Sequence, residues 1–259
     1  MTIYNNILYN LNEADIDKPI YRIITIERLS ELFDKRQLIF PQVKVWEDVY
    51  ENFLLKSNFT DSDDSDFQID DDFEEYYGQC WTLSRDSDAL WRIYSTDKRS
   101  VRIKTTIRKL LNLIVDIFSN GSKSGIIADR KIGSVSYKTQ EELERWANNQ
   151  QVTRSNLQPF MEESLFIKRS AFEHEKEIRI LYFADSVSDP KLIPNKKLVG
   201  FEIENPVNFI EEIAFDPRVE EPYLSAYKNS IVKRYLYPAE RIIKSDLYEF
   251  KPLSFKTIS

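Results

Sequence analysis

The sequence predicts an α+β fold, a mixed or antiparallel sheet with flanking helices. Three observations lead there. Segments of strand period and of helical period follow one another without regular alternation, which speaks against a doubly wound parallel sheet. No internal repeat is visible. The 259 residues hold five glycines, Gly78, Gly121, Gly125, Gly133 and Gly200, from which neither GxGxxG nor GxxxxGK[ST] can be built. The glycine loops of Rossmann and P-loop nucleotide sites are therefore excluded.

Pro19 to Ile24 reads as a strand carrying Tyr21-Arg22, and Thr25 then caps a helix with Ile26, Leu29, Leu32 and Phe33 on one face. Leu38-Ile39-Phe40 is a short strand ended by Pro41. Trp46, Val49, Tyr50, Phe53 and Leu54 recur at the spacing of an amphipathic helix. Gln79 to Ser84 is a strand holding Cys80, Trp81, Thr82 and Ser84, and Ser87 opens a short helix with Leu90, Trp91 and Tyr94 on one face. Val101, Ile103, Thr105 and Ile107 alternate with Arg102, Lys104 and Thr106, a strand with one basic face. Leu110, Leu111, Ile114, Val115 and Phe118 switch to helical period.

Short strands are predicted near Ile126-Ile127-Ala128 and over Ile132 to Tyr137. Thr139 and Glu142 form a capping box ahead of Leu143 and Trp146. A further helix covers 155–168, with Pro159 tolerated near its start. Strands are predicted at Glu177 to Phe183, Leu198 to Ile203 and Ile210 to Phe215, then a helix from about 220 to 236 and a last strand near Ile242.

Composition narrows the chemistry. Apolar residues make up 42% and charged residues 31%, the balance of a globular chain. His174 is the one histidine, so no site can use two imidazoles, and HExxH zinc enzymes and C2H2 fingers are excluded. Cys80 is the one cysteine, so there is no intrachain disulfide, in keeping with a reducing cytosol. The first residues, Met1-Thr-Ile-Tyr-Asn-Asn, have no basic region and no sustained apolar stretch. The longest apolar run, Leu110 to Phe118, contains Asn112 and Asp116 and falls short of the ~20 residues of a membrane span. The expectation is a cytoplasmic chain with no membrane partner.

The net charge of −7 is unevenly placed. Nine acids fall between 61 and 75, and without them the chain is slightly basic. One domain over 1–259 is expected, with an acidic, mobile insertion at 56–75. Residues 92–109 have the opposite bias: Arg92, Lys98, Arg99, Arg102, Lys104, Arg108 and Lys109 against Asp97. Two readings stand. Both segments are solvated faces, or the basic one meets phosphates and the acidic one masks it.

Three polar spots sit on or beside apolar strands: Arg22, the Thr82/Ser84 pair, and Phe172-Glu-His-Glu-Lys-Glu-Ile-Arg179. Glu175 and Glu177 are two apart, so a strand would point both the same way, and two carboxylates on one face need cations, ligand groups or water between them. They form either a surface Glu–Arg pairing with Arg179 or a carboxylate aimed into a cleft. Arg22 is either a cross-strand ion-pair partner of such a glutamate or a guanidinium that forks onto a phosphate or ribose. His174 reads as a surface or supporting residue and Cys80 as a small core residue. Ser84 lacks the flanking glycines of a hydrolase nucleophile. Glu177-Ile-Arg179 has Arg where a PD-(D/E)xK nuclease has Lys, with Asp48 or Asp70 left to complete the set.

The ordered pieces Tyr21-Arg22, Leu38-Ile-Phe-Pro41, Trp46-Glu-Asp-Val-Tyr-Glu51, Cys80-Trp-Thr-Leu-Ser84, Leu90-Trp-Arg-Ile-Tyr94 and Phe172–Arg179 resemble a bacterial family known only as domain of unknown function 2971. Its pattern runs YR, F-S-x-P, N-D-P-x-E, C-F-S, W-x-x-Y and E-K-E-x-R. Here Glu47-Asp48-Val49 replaces N-D-P, and the Trp-x-x-Tyr and Glu-x-Glu-x-Arg pieces match best.

Arg on an early strand, a hydroxyl residue on a later one and Glu-x-Glu on another also resemble the R-S-E order of ADP-ribosyltransferases. That resemblance implies a mixed split-sheet fold that clasps NAD without a glycine loop and without a metal. It implies Arg22 on the NAD phosphate or nicotinamide ribose, beside Tyr21. Ser84 or Thr82 would position the ribose, and Trp91 or Tyr94 would stack on nicotinamide. Glu177 would be the catalytic glutamate and Glu175 its partner toward the acceptor. It further implies a bacterial toxin or anti-phage defence effector that modifies RNA, DNA or protein, with a neutralising antitoxin protein as partner. The basic stretch favours RNA slightly. The alternatives are a metal-dependent nuclease using Asp48, Glu175 and Glu177, and a non-enzymatic protein-interaction module.

Overall fold

A computed structural model describes residues 7–46, 48, 50–51, 53–57, 59–60, 66–67, 76–115, 130–150, 152, 157–184, 191–193 and 197–256. The expected strand near 126–128 and most of the acidic insertion at 56–75 lie outside these residues.

The elements match the predicted class. The strands are β1 (Leu8–Tyr9), β2 (Pro19–Ile24), β3 (Gln37–Pro41), β4 (Phe59–Thr60), β5 (Asp66–Phe67), β6 (Tyr76–Thr82), β7 (Val101–Thr106), β8 (Arg130–Ser134), β9 (Ser136–Lys138), β10 (Ile167–Arg169), β11 (Glu177–Phe183), β12 (Leu198–Glu202), β13 (Glu212–Phe215) and β14 (Ile242–Lys244). The helices are α1 (Ile26–Lys35), α2 (Asp88–Tyr94), α3 (Ile107–Val115), α4 (Gln140–Asn148), α5 (Leu157–Ser164), α6 (Pro206–Phe209) and α7 (Glu221–Tyr235). The expected caps are present: Thr25, Ser87 and Thr139 each accept a backbone N–H at the start of α1, α2 and α4, and Glu142 completes the box on Thr139.

Among the described residues, eight strands form a mixed sheet in the order β1-β8-β11-β6-β2-β7-β13-β14. Its outermost pairs, β1–β8 and β13–β14, are parallel and the inner pairs antiparallel. At the centre, β2 and β6 share a single registered pair, Tyr21 with Thr82. Each strand otherwise runs with its outer neighbour, β2 with β7 along its whole length and β6 with β11 along its own. The sheet is thus two half-sheets joined at one point, and Arg22 comes directly after that point in the chain.

Both faces are covered. Ile20, Trp81, Ile103, Ile178 and Ile180 belong to a core shared with Leu29, Leu32 and Phe33 of α1, Leu110, Leu111 and Ile114 of α3, and the β3–β12 pair. Leu181 and Tyr76 belong to a second core with Val43, Leu54, Phe160 and Met161 of α5, and Leu165 and Phe166 just beyond that helix. Alternation along β11 therefore puts Ile178, Ile180 and Tyr182 in the first core and Leu181 in the second, and Glu177 and Arg179 share the parity of Leu181. Gly78 permits a close approach on this second side, since a Cβ there would meet the Trp46 ring at 2.7 Å.

Two expectations are corrected. No continuous helix runs through Trp46 to Leu54 among the described residues. Trp46 is extended after a 3-10 turn at Val43–Val45, and a second such turn spans Phe53–Lys56. Between them the Asp48 carboxylate accepts the Tyr50 N–H at 3.0 Å, a local bond that competes with helix. The helix expected over 155–168 ends at Ser164, and Ile167–Arg169 pairs as β10 with β9.

The basic face of β7 is also corrected. Arg102 is buried and bonded to Asp86 and Glu212. Arg92 pairs with Asp88, Lys104 and Lys109 with Glu211, and Arg108 with Asp17. Five of the seven cations of the stretch are thus paired within the chain. Among the described residues, no helix is long and apolar enough to cross a membrane.

Candidate active site

The site lies where the two half-sheets meet. Arg22 is half-buried on β2, opposite Ile103 in the β2–β7 register. It makes no hydrogen bond or ion pair among the described residues, and burial pulls its guanidinium down to about 10. The groups that act on it are Cys80 and Tyr94, which favour its charge, and Arg28, which opposes it. The cross-strand pair with a glutamate does not form. Tyr21 is buried, with the Arg102 guanidinium over its ring at 5.0 Å.

Thr82 holds its surroundings together. Its hydroxyl donates to the Glu175 carbonyl at 2.5 Å and accepts the Ser84 N–H at 2.9 Å. The Ser84 side chain is half-buried beside it. On α2, Trp91 is completely buried, whereas Tyr94 is 50% exposed. Tyr94 is thus the α2 ring with an open face. Burial pushes its phenol up, and the charge of Glu175 adds to this more than those of Cys80 and Glu177.

The carboxylates do not share a strand face, as β11 begins at Glu177. Glu175 ends a 3-10 turn, and Lys176 reverses the chain in the left-handed region at φ 43°. They converge by another route. Lys168 on β10 bonds Glu175 at 2.6 Å, Glu51 at 3.0 Å and Glu177 at 3.2 Å. Arg179 donates to both oxygens of Glu177, at 2.6 and 3.1 Å, to Glu51 at 2.5 Å and to the Leu165 carbonyl at 2.6 Å. The Trp46 ring covers this guanidinium at 4.7 Å. The Glu177 N–H donates to the Tyr137 hydroxyl at 2.8 Å.

This is a buried network of three carboxylates and two cations. Burial alone would raise the Glu177 carboxyl, but the charge and hydrogen bonds of Arg179, with Lys168, hold it down at about 2. Glu51 goes the other way, because burial outweighs Arg179 and Lys168 and raises it. The Cys80 thiol is pushed well up by burial and by the charge of Glu177. Cys80 is therefore a partly exposed neighbour of both Arg22 and Glu177 rather than plain core.

Glu177 makes stability depend on pH. Its folded pKa is below its unfolded value, so its stabilising contribution is complete above about 4.5 and is lost as pH falls toward about 2. Urea midpoints measured between pH 6 and 2.5 should fall more steeply for wild type than for Glu177→Gln. Parallel curves would show that the depressed carboxyl is not a source of acid sensitivity.

Of the residues the sequence singled out, Thr82 is bonded to Glu175, Glu175 and Glu177 meet at Lys168, and Tyr94 feels the charge of both glutamates. Arg22 registers with Ile103 on the opposite sheet face from Tyr21, Thr82 and Glu177, and Cys80 and Tyr94 are the groups it shares with the network. Sequence reasoning missed Lys168, Glu51 and Tyr137. Glu51 ended a motif already noted, but Lys168 stood inside a segment read as helix and left no signal. The nuclease set does not assemble as expected, because Asp48 is bonded to Arg169 at 3.2 Å and Lys168 stands among the other carboxylates.

A family model described as "Protein of unknown function (DUF2971)" matches residues 90–180. No curated protein matches the chain. Among solved structures the chain is similar to Thermus sp. 2.9 DarT in complex with carba-NAD+, at 12% identity over 90% of this chain and 96% of that one, with a TM-score of 0.37. It is likewise similar to Thermus sp. 2.9 DarT in complex with ADP-ribosylated ssDNA, at 12% identity over 91% and 96%, with a TM-score of 0.38. The matched span holds the Trp-x-x-Tyr and Glu-Lys-Glu-x-Arg pieces, and over it the chain is similar to the family of unknown function that those motifs resembled.

Proposed function

We propose that this chain is an NAD-dependent ADP-ribosyltransferase that moves ADP-ribose onto a macromolecule. The observation that carries the reading is Arg22, a half-buried guanidinium with no hydrogen bond or ion pair among the described residues, on the strand that meets its neighbour half-sheet at Tyr21. Cys80 and Tyr94, which act on Arg22, also feel the charge of Glu177, and Tyr94 that of Glu175. A planar cation that no carboxylate neutralises suits a diphosphate or a ribose phosphate.

In this reading Arg22 grips the NAD phosphate or ribose, Tyr94 supplies the ring for nicotinamide, and Thr82 and Ser84 shape the ribose end. Tyr21 and Trp91 support them from their buried positions. The nicotinamide–ribose bond breaks with its electron pair passing to the pyridinium nitrogen, leaving an oxocarbenium at the ribose. The Glu175/Glu177 pair stabilises that charge electrostatically. An acceptor lone pair then attacks the opposite ribose face, and its proton passes to solvent. Positioning and electrostatics provide the acceleration, so no histidine is required. A toxin or anti-phage defence role, in the cytoplasm and with a neutralising partner protein, goes with this reading.

The test is incubation of purified protein with labelled NAD and bacterial lysate, tracking label separately into protein, RNA and DNA. Transfer by wild type, and its loss in Glu177→Ala and Glu175→Gln, is expected, and the labelled fraction names the acceptor class. Folded, partner-free protein that neither transfers label nor releases nicotinamide would sink the reading. Cleavage of nucleic acid with Mg²⁺ and without NAD would favour the nuclease.

A further inference from the structure

We infer that Lys168 is the positioning residue of this site: its ammonium, braced against Glu51 and Glu177, holds Glu175 as the carboxylate that faces the substrate. This rests on the transferase reading of the same site. It reverses the roles that the ADP-ribosyltransferase resemblance implies for the two glutamates.

The two glutamates differ in what they have left to offer. Both are buried, Glu175 at 8% and Glu177 at 3% exposure, but both oxygens of Glu177 are bonded by Arg179, one of them also by Lys168. Its amide is tied to Tyr137 and its strand is buried on both faces. Glu175 has one oxygen on Lys168, and the other makes no hydrogen bond among the described residues. Its carbonyl is fixed by Thr82, and its charge is the one felt most strongly by Tyr94, whose ring is half exposed. A carboxylate that must meet a developing cation needs an unspent oxygen, and Glu175 has it.

Lys168 is what sets that oxygen. An ammonium has three donors, and this one lies within 3.2 Å of three carboxylates. Two of these, Glu51 and Glu177, are also bonded by Arg179, and Glu175 is not. Among the described residues, Glu175 therefore has Lys168 as the one ion-pair partner of its carboxylate. The charged and titratable groups around Lys168 are Glu51, Glu175, Glu177 and Arg179. Tyr137 lies on β9, Tyr94 on α2 and Cys80 on β6, and Phe172 lies against the ammonium at 4.9 Å.

The experiment compares wild type with Lys168→Met, Lys168→Arg and the charge-matched double variant Lys168→Met/Glu175→Gln. Two readouts are taken between pH 5 and 9: nicotinamide release from NAD, and the alkylation rate of Cys80 by iodoacetamide. Cys80 is the chain's one thiol and feels the charges of Glu177, Arg179 and Glu51, so it reports on the network without needing activity. Lys168→Met should lower kcat about tenfold or more with little change in KM, and should move the acid limb of the pH profile upward. It should also slow Cys80 alkylation about tenfold, as expected for one pKa unit toward a more negative neighbourhood. Lys168→Arg should recover part of both. The double variant should restore the alkylation rate but not kcat.

A purely structural lysine would lower amplitudes without shifting either pH profile, and that outcome overturns the inference. So does a Glu175→Gln enzyme as active as wild type while a folded Glu177→Gln is inactive. If Lys168→Met does not fold, the double variant decides: a folded chain with wild-type alkylation supports the inference, and an unfolded one or altered alkylation overturns it. If wild type releases no nicotinamide, the transferase reading fails by itself, and the alkylation arm still decides whether Lys168 sets the charge of the carboxylates.

Discussion

Arg22→Ala should weaken the binding of ADP-ribose by about 2–3 kcal/mol, roughly 30- to 150-fold, the size of charge-assisted hydrogen bonds lost from a phosphate. It should do so without lowering the thermal midpoint. The reason is the state of Arg22 in the free protein: a half-buried guanidinium with no ion pair among the described residues adds no charge pairing to the fold. Loss of binding joined to equal or greater stability is a signature that a structural arginine cannot give. Arg22→Lys should not restore affinity, since an ammonium lacks the planar fork. Calorimetric titration of ADP-ribose into each variant, beside a melting curve, makes the measurement. An Arg22→Ala protein that binds as wild type does, or that melts far lower, would remove the main support for the proposed site.

Arg179→Leu should have the opposite profile, a loss of about 3–5 kcal/mol in stability, because it leaves Glu177 and Glu51 buried without their guanidinium. Against a total of about 5–15 kcal/mol for a domain, that is a large fraction. The Leu165 carbonyl would lose its donor as well, and the Trp46 ring its cation. Arg179→Leu combined with Glu177→Leu should recover part of the loss, since removing both charges avoids the unpaired one. Urea unfolding at pH 7 measures both. If Arg179→Leu loses less than about 1 kcal/mol, the value of a solvent-exposed pair, the buried network is not what holds β11 to the segment carrying Glu51.

The two predictions separate two arginines that the sequence presents alike. Arg22 and Arg179 each come after an apolar residue on a strand, and each is close in sequence or topology to a hydroxyl or carboxylate. Only the packing tells them apart. Arg179 finds Glu177 two residues away and Glu51 from 128 residues earlier. Arg22 finds neither, because β2 touches β6 at one pair and then departs with β7.

The legible part of the fold is the part that local periodicity and local side-chain chemistry decide. Pro19–Ile24, Val101–Thr106 and Glu177–Phe183 show their strand character in short apolar runs, and Thr25, Ser87 and Thr139 announce their helices because a cap acts within three residues. The segment after Trp46 misled because its apolar spacing is helical, while the Asp48 carboxylate takes a backbone N–H that a helix would need. The pairing of the basic run at 92–109 was not legible, because its partners Asp17, Asp86, Glu211 and Glu212 come mostly from distant parts of the chain.

The sequence by itself determined the α+β class and the order of nearly all described elements, and it singled out the residue types of the proposed site: one early arginine, a hydroxyl strand and a Glu-x-Glu. Tertiary structure alone decided that the sheet is joined at a single pair, and that Glu175 and Glu177 meet through Lys168 rather than across a strand face. It also decided that one glutamate is saturated and the other is not. The physical reason is range. Capping and periodicity act over a few residues, whereas burial and charge pairing act between side chains that only the folded chain brings together.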